Sequence, residues 1–372
     1  MVTPDFIARL RAIVGDAFVY VDDESRRSYG TDALKRGALA DVVVVPANAA
    51  EISAIARLCH EARTPLVPRG AGTGYSGGAV PVRGGVVLTL ERLNHILEID
   101  EANLLAIVEP NVITGDLQDA VERVGLFYPP DPASLRLSSI GGNVAECAGG
   151  PRAFKYGVTT NYVMGLEAVL PTGELIQTGG KVVKNVVGYD LTHLLVGSEG
   201  TLAIVTKVIL RLIPKPASVA TIRATFPSVQ HAVDAVAGLI RARVVPATIE
   251  LVDRDSLEAV AAANGGGALA PAGTAALLLI EVDGQAAQVQ GDADLVAAAC
   301  LEAGASEVLR ARDGKERDEL WRVRRGISLA LMDPAWRKFN HDIVVPKSRI
   351  PELFELIERL KAQFDMRVPS FG

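Results

Sequence analysis

The sequence predicts an α+β protein of two domains. Short β-branched runs alternate with segments of helical periodicity along the whole chain. A Pro214-Lys215-Pro216 break interrupts that pattern, and 372 residues suffice for two packed cores. The divisions read as an N-terminal helical segment over 1–36, a first domain over 37–216 and a second over 217–372.

Thr3 and Pro4 read as the N-cap and first position of an opening helix. Val42-Val43-Val44-Val45, stopped by Pro46, is a buried strand. Asn48 caps a helix in which Ile52, Ile55, Ala56 and Leu58 recur at helical spacing. Leu66-Val67-Pro68 is a strand, Arg69 to Gly78 a glycine-rich loop, and Gly85 to Leu90 a strand again. Ile107 and Val108 continue the strand pattern, and Thr114 caps a helix through Val124. Tyr128 to Tyr156 is a long irregular stretch, which inside a compact domain points to function. Leu166–Leu170 and Leu175–Thr178 flank a Pro171-Thr172-Gly173-Glu174 turn, and Leu202 to Leu212 is the last strand of this half.

Beyond Pro216 the sequence predicts strands at 221–226, 248–252, 275–282 and 342–345. Helices are expected at 229–243, 256–263, 286–303, 313–332 and 351–364, with Asn264-Gly265-Gly266-Gly267 ending the second of them. This reads as a small α+β domain with helices on one face of a sheet.

A net charge of -6 excludes a basic nucleic-acid footprint. Cys59, Cys147 and Cys300 are scattered, without metal or CxxC spacing, which fits free thiols in a reducing compartment. The N-terminus lacks a signal-peptide pattern. The apolar stretch from Ala268 to Val282 is broken by Pro271 and Gly273, short of the roughly 20 residues that span a bilayer. The expectation is a cytoplasmic protein with no transmembrane segment, with peripheral attachment to the inner membrane through a complex left open.

Gly72-Thr73-Gly74-Tyr75-Ser76-Gly77 matches GxGxxG, but a dinucleotide fold requires a helix to begin inside the motif. Here Pro81 and the Gly84-Gly85 pair follow, and then a strand. The loop nonetheless suits a phosphate. Gly70, Gly72, Gly74, Gly77 and Gly78 let successive N–H groups turn inward, Thr73 and Ser76 add hydroxyls, and Arg69 adds charge. Gly74 is expected to need a positive φ.

Pro68-Arg69-Gly70-Ala71-Gly72-Thr73-Gly74-Tyr75-Ser76-Gly77-Gly78 resembles the pyrophosphate loop of the vanillyl-alcohol-oxidase superfamily, whose FAD-binding domain is of the p-cresol-methylhydroxylase (PCMH) type. Three later motifs agree in order: Tyr128 to Ser134, Ser139-Ile140-Gly141-Gly142-Asn143-Val144-Ala145-Glu146, and Gly197-Ser198-Glu199-Gly200-Thr201-Leu202. Tyr156 to Val163 is similar to the segment that lines the flavin. Within the superfamily the chain most resembles bacterial glycolate oxidase FAD subunits and D-lactate dehydrogenases.

The resemblance implies a PCMH-type domain of two α+β subdomains, then an α+β, ferredoxin-like cap that is incomplete at its C-terminus. It implies that Arg69 to Gly78 hold the pyrophosphate, with Pro68 also cofactor-binding, while Pro132, Ser139, Gly142, Asn143 and Ala145 approach the flavin. Gly157, Thr160, Val163, Glu199, Gly200 and Ile204 would complete the pocket. No His or Cys stands in the glycine loop, so FAD is expected to bind non-covalently, with Cys147 a small buried thiol.

The implied reaction oxidises a small 2-hydroxy acid of the glycolate or D-lactate type to the 2-oxo acid. A hydride passes to flavin N5, and electrons leave to a quinone or an iron–sulfur partner. FAD-binding and iron–sulfur partner subunits are implied, and a non-catalytic FAD-binding subunit or fragment of such a complex is the alternative. An alditol oxidase or an alkyl-glycerone-phosphate synthase on the same fold is a third reading. Arg324 matches the arginine that grips the substrate carboxylate, while Arg317, Arg322 and Arg325 read as solvated. Asn340 matches a strand that enters the site, and His341 reads as structural. No metal site is expected in this chain, since the family's histidine-rich motif lies beyond the Gly372 position and a divalent metal belongs to a longer form.

Overall fold

The computed structural model describes residues 2–35, 37–263, 270–332 and 339–372. The chain divides into two compact units. One comprises Met1–Gly150 and Tyr156–Lys215, and the other Pro151–Lys155 and Pro216–Gly372.

The first unit contains two larger sheets, each with its own core. In the first sheet Val42–Val44, Val86–Thr89 and Leu66–Arg69 run parallel in that spatial order, and Val19–Tyr20 adds an antiparallel edge. The Pro4–Val14 and Ala49–Glu61 helices supply Phe6, Leu10, Ile52 and Ile55 to its core. Both begin as the sequence predicts: Thr3 Oγ1 accepts from Phe6 N, and Asn48 Oδ1 from Glu51 N. The second sheet is antiparallel, in the order Ile96–Asp100, Leu105–Val108, Ile204–Arg211, Val163–Val169 and Leu175–Gly179. Its core takes Leu117 and Val121 from the Thr114–Glu122 helix and Ile140 and Val144 from the Ile140–Glu146 helix.

Two local expectations are corrected here. Thr114 is the first helical residue rather than the cap, and its Oγ1 donates to Ser138 O at 3.1 Å instead. The stretch 128–156 is irregular except for Ile140–Glu146 and Ala153–Tyr156. Gly141 and Gly142 lower helix propensity in the first of these, but Ser139 caps it by accepting from Gly142 N.

In the second unit Ser218–Phe226, Thr248–Asp253, Ala276–Gly284 and Glu307–Arg310 form an antiparallel sheet. Numbered within the unit, their spatial order is 2-3-1-4, the split βαβ arrangement of ferredoxin-like folds. Helices cover both faces, not one. Ala276, Leu278, Ile280 and Val282 pack with the Val229–Arg241 and Ala286–Glu302 helices. Leu277 and Leu279 point the other way, onto Leu257, Val260, Trp321 and Ile327 of the Arg254–Ala263 and Gly314–Ala330 helices. The run Ala276-Leu277-Leu278-Leu279-Ile280 is apolar at both parities, the mark of a strand buried on both sides.

The expected strand at 342–345 takes no ladder partner among the described residues. Ile343 and Val344 face solvent, with Val344 94% exposed. The sheet's fourth strand is Glu307–Arg310, a half-exposed edge with too few apolar residues to stand out in the sequence. Ser370 and Gly372 hydrogen-bond to Asp253 and Leu251, extending the sheet beyond Thr248–Asp253. The expected helix end at 264–267 lies outside the described residues.

Candidate functional site

A cleft in the first unit is lined by the loop after Leu66–Arg69, the start of the Ile140–Glu146 helix and residues 198–205. No helix follows the glycine motif; the chain turns through Pro81 into Val86–Thr89. The N–H groups of residues 72–77 donate to no protein acceptor among the described residues, whereas Ala71 N is turned onto Ser139 Oγ. Of these residues Gly72, Thr73, Gly74 and Gly77 line the cleft, and backbone donors left open there suit an anion with several oxygens.

Gly72 takes φ +69°, and a Cβ there would stand 2.2 Å from the Arg69 guanidinium. Gly74 is not in the left-handed region, contrary to expectation. What a Cβ there would meet is Glu146 Oε1, at 2.9 Å. Arg69 donates to Thr31 O at 2.7 Å and lies 6.0 Å from the Tyr29 ring centroid. Burial pulls its pKa below the ordinary arginine value, opposed by Tyr29, Glu91 and Asp32.

The structure brings most of the sequence-predicted residues to this cleft. Pro68, Arg69, Gly70, Ala71, Gly72, Thr73, Gly74 and Gly77 line one side. Pro132, Ser139, Gly142, Asn143 and Ala145 line another, and Glu199, Gly200 and Ile204 a third. Asn143 contributes surface while its amide is committed to Thr114 Oγ1 at 2.6 Å. Ser76, Gly157, Thr160 and Val163 are not in the lining. Ser76 hydrogen-bonds the Glu146 and Glu199 carboxylates, at 2.9 and 3.3 Å. Gly157 uses φ +79° beside the Asn161 carboxamide, Thr160 O faces His193 Nε2, and Val163 is buried in the antiparallel core.

Sequence reasoning missed two acids. Asp32, from the N-terminal segment, is buried in the cleft wall, and no motif marks it. Glu146 closes a recognised motif but carried no assigned role. Burial raises its pKa, and the neighbouring Glu199 adds to the rise while Ser76 opposes it. Cys147, next to it, caps the helix in a left-handed conformation and is not in the lining.

In the second unit Arg324 lies on the buried side of the Gly314–Ala330 helix. Its Nη2 pairs with Glu250, and the Phe371 ring centroid is 4.8 Å from its Cζ. Arg322 and Arg317 pair with Glu319 and Asp318 at the surface, and Arg325 lies over Trp321. Asn340 is half-buried and shares no hydrogen bond with Arg324 among the described residues; His341 is exposed. No helix of the described residues is long and apolar enough to cross a membrane.

Residues 40–179 match the family described as FAD binding domain, and residues 215–372 the C-terminal domain of FAD linked oxidases. The chain is 42% identical to glycolate oxidase subunit GlcD of Bacillus subtilis over 373 residues, covering all of this chain and 79% of that protein. It is 34% identical to a D-lactate dehydrogenase of Anaerostipes hadrus, with the same coverage. Against glycolate oxidase subunit GlcD of Escherichia coli K12 it is 37% identical, over 88% of this chain and 65% of that one.

Among solved structures, p-cresol methylhydroxylase with substrate bound superposes with a TM-score of 0.72 at 20% identity, covering 86% of this chain and 68% of that one. An alkyldihydroxyacetonephosphate synthase reaches 0.74 at 22%, covering 88% and 68%. At such identities these two likenesses concern the fold, and they bear out the PCMH-type expectation. The chain belongs to the FAD-linked oxidase family, and its cofactor is FAD. The open N–H donors of Gly72, Thr73, Gly74 and Gly77 in the cleft wall fit the pyrophosphate of that cofactor.

Proposed function

We propose that the protein oxidises a small 2-hydroxy acid, of the glycolate or D-lactate type, to the corresponding 2-oxo acid. The observation that carries this reading is a nearly buried arginine, Arg324, with a side-chain donor unmet among the described residues, in a chain whose relatives are named glycolate oxidase subunit and D-lactate dehydrogenase. Bound FAD supplies the two-electron acceptor for such an oxidation.

In this reading the residue 72–77 N–H groups hold the pyrophosphate. Gly142, Ala145 and Gly200 keep the cleft narrow for a flat ring by presenting little or no side chain. On this reading binding is non-covalent; among the described residues that line the cleft there is neither His nor Cys. Arg324 binds the substrate carboxylate through its planar fork, which fixes the Cα–H bond in one orientation. Electrons leave to a quinone or an iron–sulfur partner, consistent with relatives named as subunits. The site of action is the cytoplasm, at or near a membrane complex.

Arg324→Lys keeps the charge but loses the fork. With about 1.5–3 kcal/mol per charge-assisted hydrogen bond, kcat/KM for the hydroxy acid should fall about ten- to a hundredfold at constant FAD content. Arg322→Lys and Arg325→Lys should change little. Full activity in Arg324→Lys places the clamp elsewhere and removes the main support for a hydroxy-acid substrate.

A further inference from the structure

The two faces of the second unit's sheet differ in kind. Strand parity puts Thr221, Arg223 and Thr225 on the same face as Thr248, Glu250 and Val252, and as Leu277, Leu279, Glu281 and Asp283. The opposite face is apolar throughout its core. Glu250, Glu281 and Asp283 are each at least 91% buried, and each needs a counter-group.

Glu281 and Asp283 are well served. Thr221 Oγ1 and Trp321 Nε1 both donate to Glu281 at 2.6 Å, and Lys155 Nζ donates to Asp283 at 2.5 Å. Glu250 is served less well. Among the described residues it takes Nη2 of Arg324 alone, while Nε of the same guanidinium, also buried, has no acceptor. Thr248 Oγ1, two residues along the same strand face and completely buried, has no partner among the described residues either. Burial pushes the Glu250 carboxyl above the usual range, and Arg324 only opposes that shift.

A structural ion pair that wide of its bonding capacity leaves donors stranded, which buried polar groups otherwise avoid. A second carboxylate gripping both Nε and Nη of Arg324 would satisfy the stranded donor. Its approach would bring it against Glu250.

We propose that Glu250 is a resident stand-in for the substrate carboxylate: it holds Arg324 by one nitrogen in the ligand-free protein, must yield when a carboxylate ligand takes the guanidinium edge, and so sets the affinity for that ligand. The proposal rests on Arg324 being the clamp. Glu250 acts through Arg324 and is a positioning residue. Pairing alone would make Glu250 an asset to binding, because it would fix the fork; competition makes it a cost.

The test uses oxalate, a small carboxylate with no oxidisable C–H bond, titrated calorimetrically into the FAD-loaded full chain. Glu250→Gln should bind oxalate about tenfold more tightly than the parent. Its KM for the hydroxy acid should fall in step, with kcat changed less than threefold. The ligand-free variant should melt lower than the parent and gain more in Tm from saturating oxalate. Glu250→Asp folds more safely and draws the carboxylate back by one methylene, so a twofold to fivefold gain is expected. Unchanged or weaker oxalate binding in both variants overturns the proposal. Arg324→Met separates the two failures. If it abolishes oxalate binding while the Glu250 variants bind no tighter, the clamp stands and the stand-in falls. If it binds oxalate like the parent, or if the parent binds none, the clamp reading fails and the proposal with it.

Discussion

Gly72, Thr73, Gly74 and Gly77 line the cleft of the first unit with backbone N–H groups that take no protein acceptor among the described residues, all on one short loop. The polar sheet face of the second unit offers side chains gathered from distant positions, with Glu250 and Arg324 seventy-four residues apart. The first arrangement can be spoiled by adding atoms but hardly by changing charge, since its donors belong to the main chain. The second tolerates local volume changes but depends on which charges face one another. On the proposed function, a site for an invariant cofactor can afford the rigid solution, while a site that discriminates among small acids works through side-chain chemistry.

The largest effect should come from filling the loop. Gly72→Val forces a β-branched residue to φ +69° and drives its Cβ into the Arg69 guanidinium. FAD dissociation should weaken by at least about a hundredfold, beyond the ~1–2 kcal/mol that a left-handed residue costs by itself. Gly273→Val is the control. It sits at φ +84° with open space around it, in the second unit. It should pay the same backbone strain and keep its flavin. A Gly72→Val protein whose FAD dissociation constant stays within threefold of the parent's would dissolve the contrast drawn above.

The same contrast explains what could be read in advance. A backbone site leaves a contiguous signature, so Gly70, Gly72 and Gly77 and the Ser139 to Ala145 motif were legible before any coordinates. Its conformational detail was not. Gly74 needs no positive φ, and its small size instead makes room for Glu146, which the motif contained without revealing its direction. On the second unit Arg324 could be picked out only by resemblance. Its partner Glu250 sits in Thr248-Ile249-Glu250-Leu251-Val252-Asp253, where it looks like the solvent-facing member of an alternating strand. The sheet is buried on both sides, so Glu250 faces the interior, and the run of leucines at 277–279 is the sequence mark of that burial. The Glu307–Arg310 edge strand and the unpaired 342–345 segment depend on tertiary pairing, which local pattern does not encode.

A smaller effect is expected on the sheet face. Trp321→Phe keeps most of the buried ring and removes the Nε1–H that Glu281 accepts at 2.6 Å. Thr221 still donates to that carboxylate, so the loss is one charge-assisted hydrogen bond, about 2 kcal/mol. For a unit of this size the melting temperature should drop by roughly 4–8 °C. FAD content should be unaffected, because Trp321 belongs to the second unit and the cleft to the first. Flavin loss without a fall in Tm would show that the two sites are not separable in this way.

The smallest effect concerns a carboxylate that brings charge into the cleft. Glu146 adjoins Gly74 of the glycine-rich loop and shares the Ser76 hydroxyl with Glu199. Its pKa is raised, first by burial and then by Glu199. As the pH rises through and above the ordinary glutamate range, Glu146 gains its negative charge beside the loop that we propose holds the pyrophosphate. The sign follows: FAD should bind more tightly on the acid side of that transition and more weakly on the alkaline side. One unit charge a few ångströms away in a partly solvated cleft amounts to about 1 kcal/mol, or about fivefold in the dissociation constant. Glu146→Gln should hold the tighter affinity across the range and flatten the profile. Ser76→Ala removes the hydroxyl that favours the ionised form, so it should move the transition to higher pH without abolishing it. FAD dissociation constants from flavin fluorescence at several pH values give all three curves. A profile in Glu146→Gln as steep as the parent's would mean that the cleft, like the rest of its loop, binds through the backbone alone.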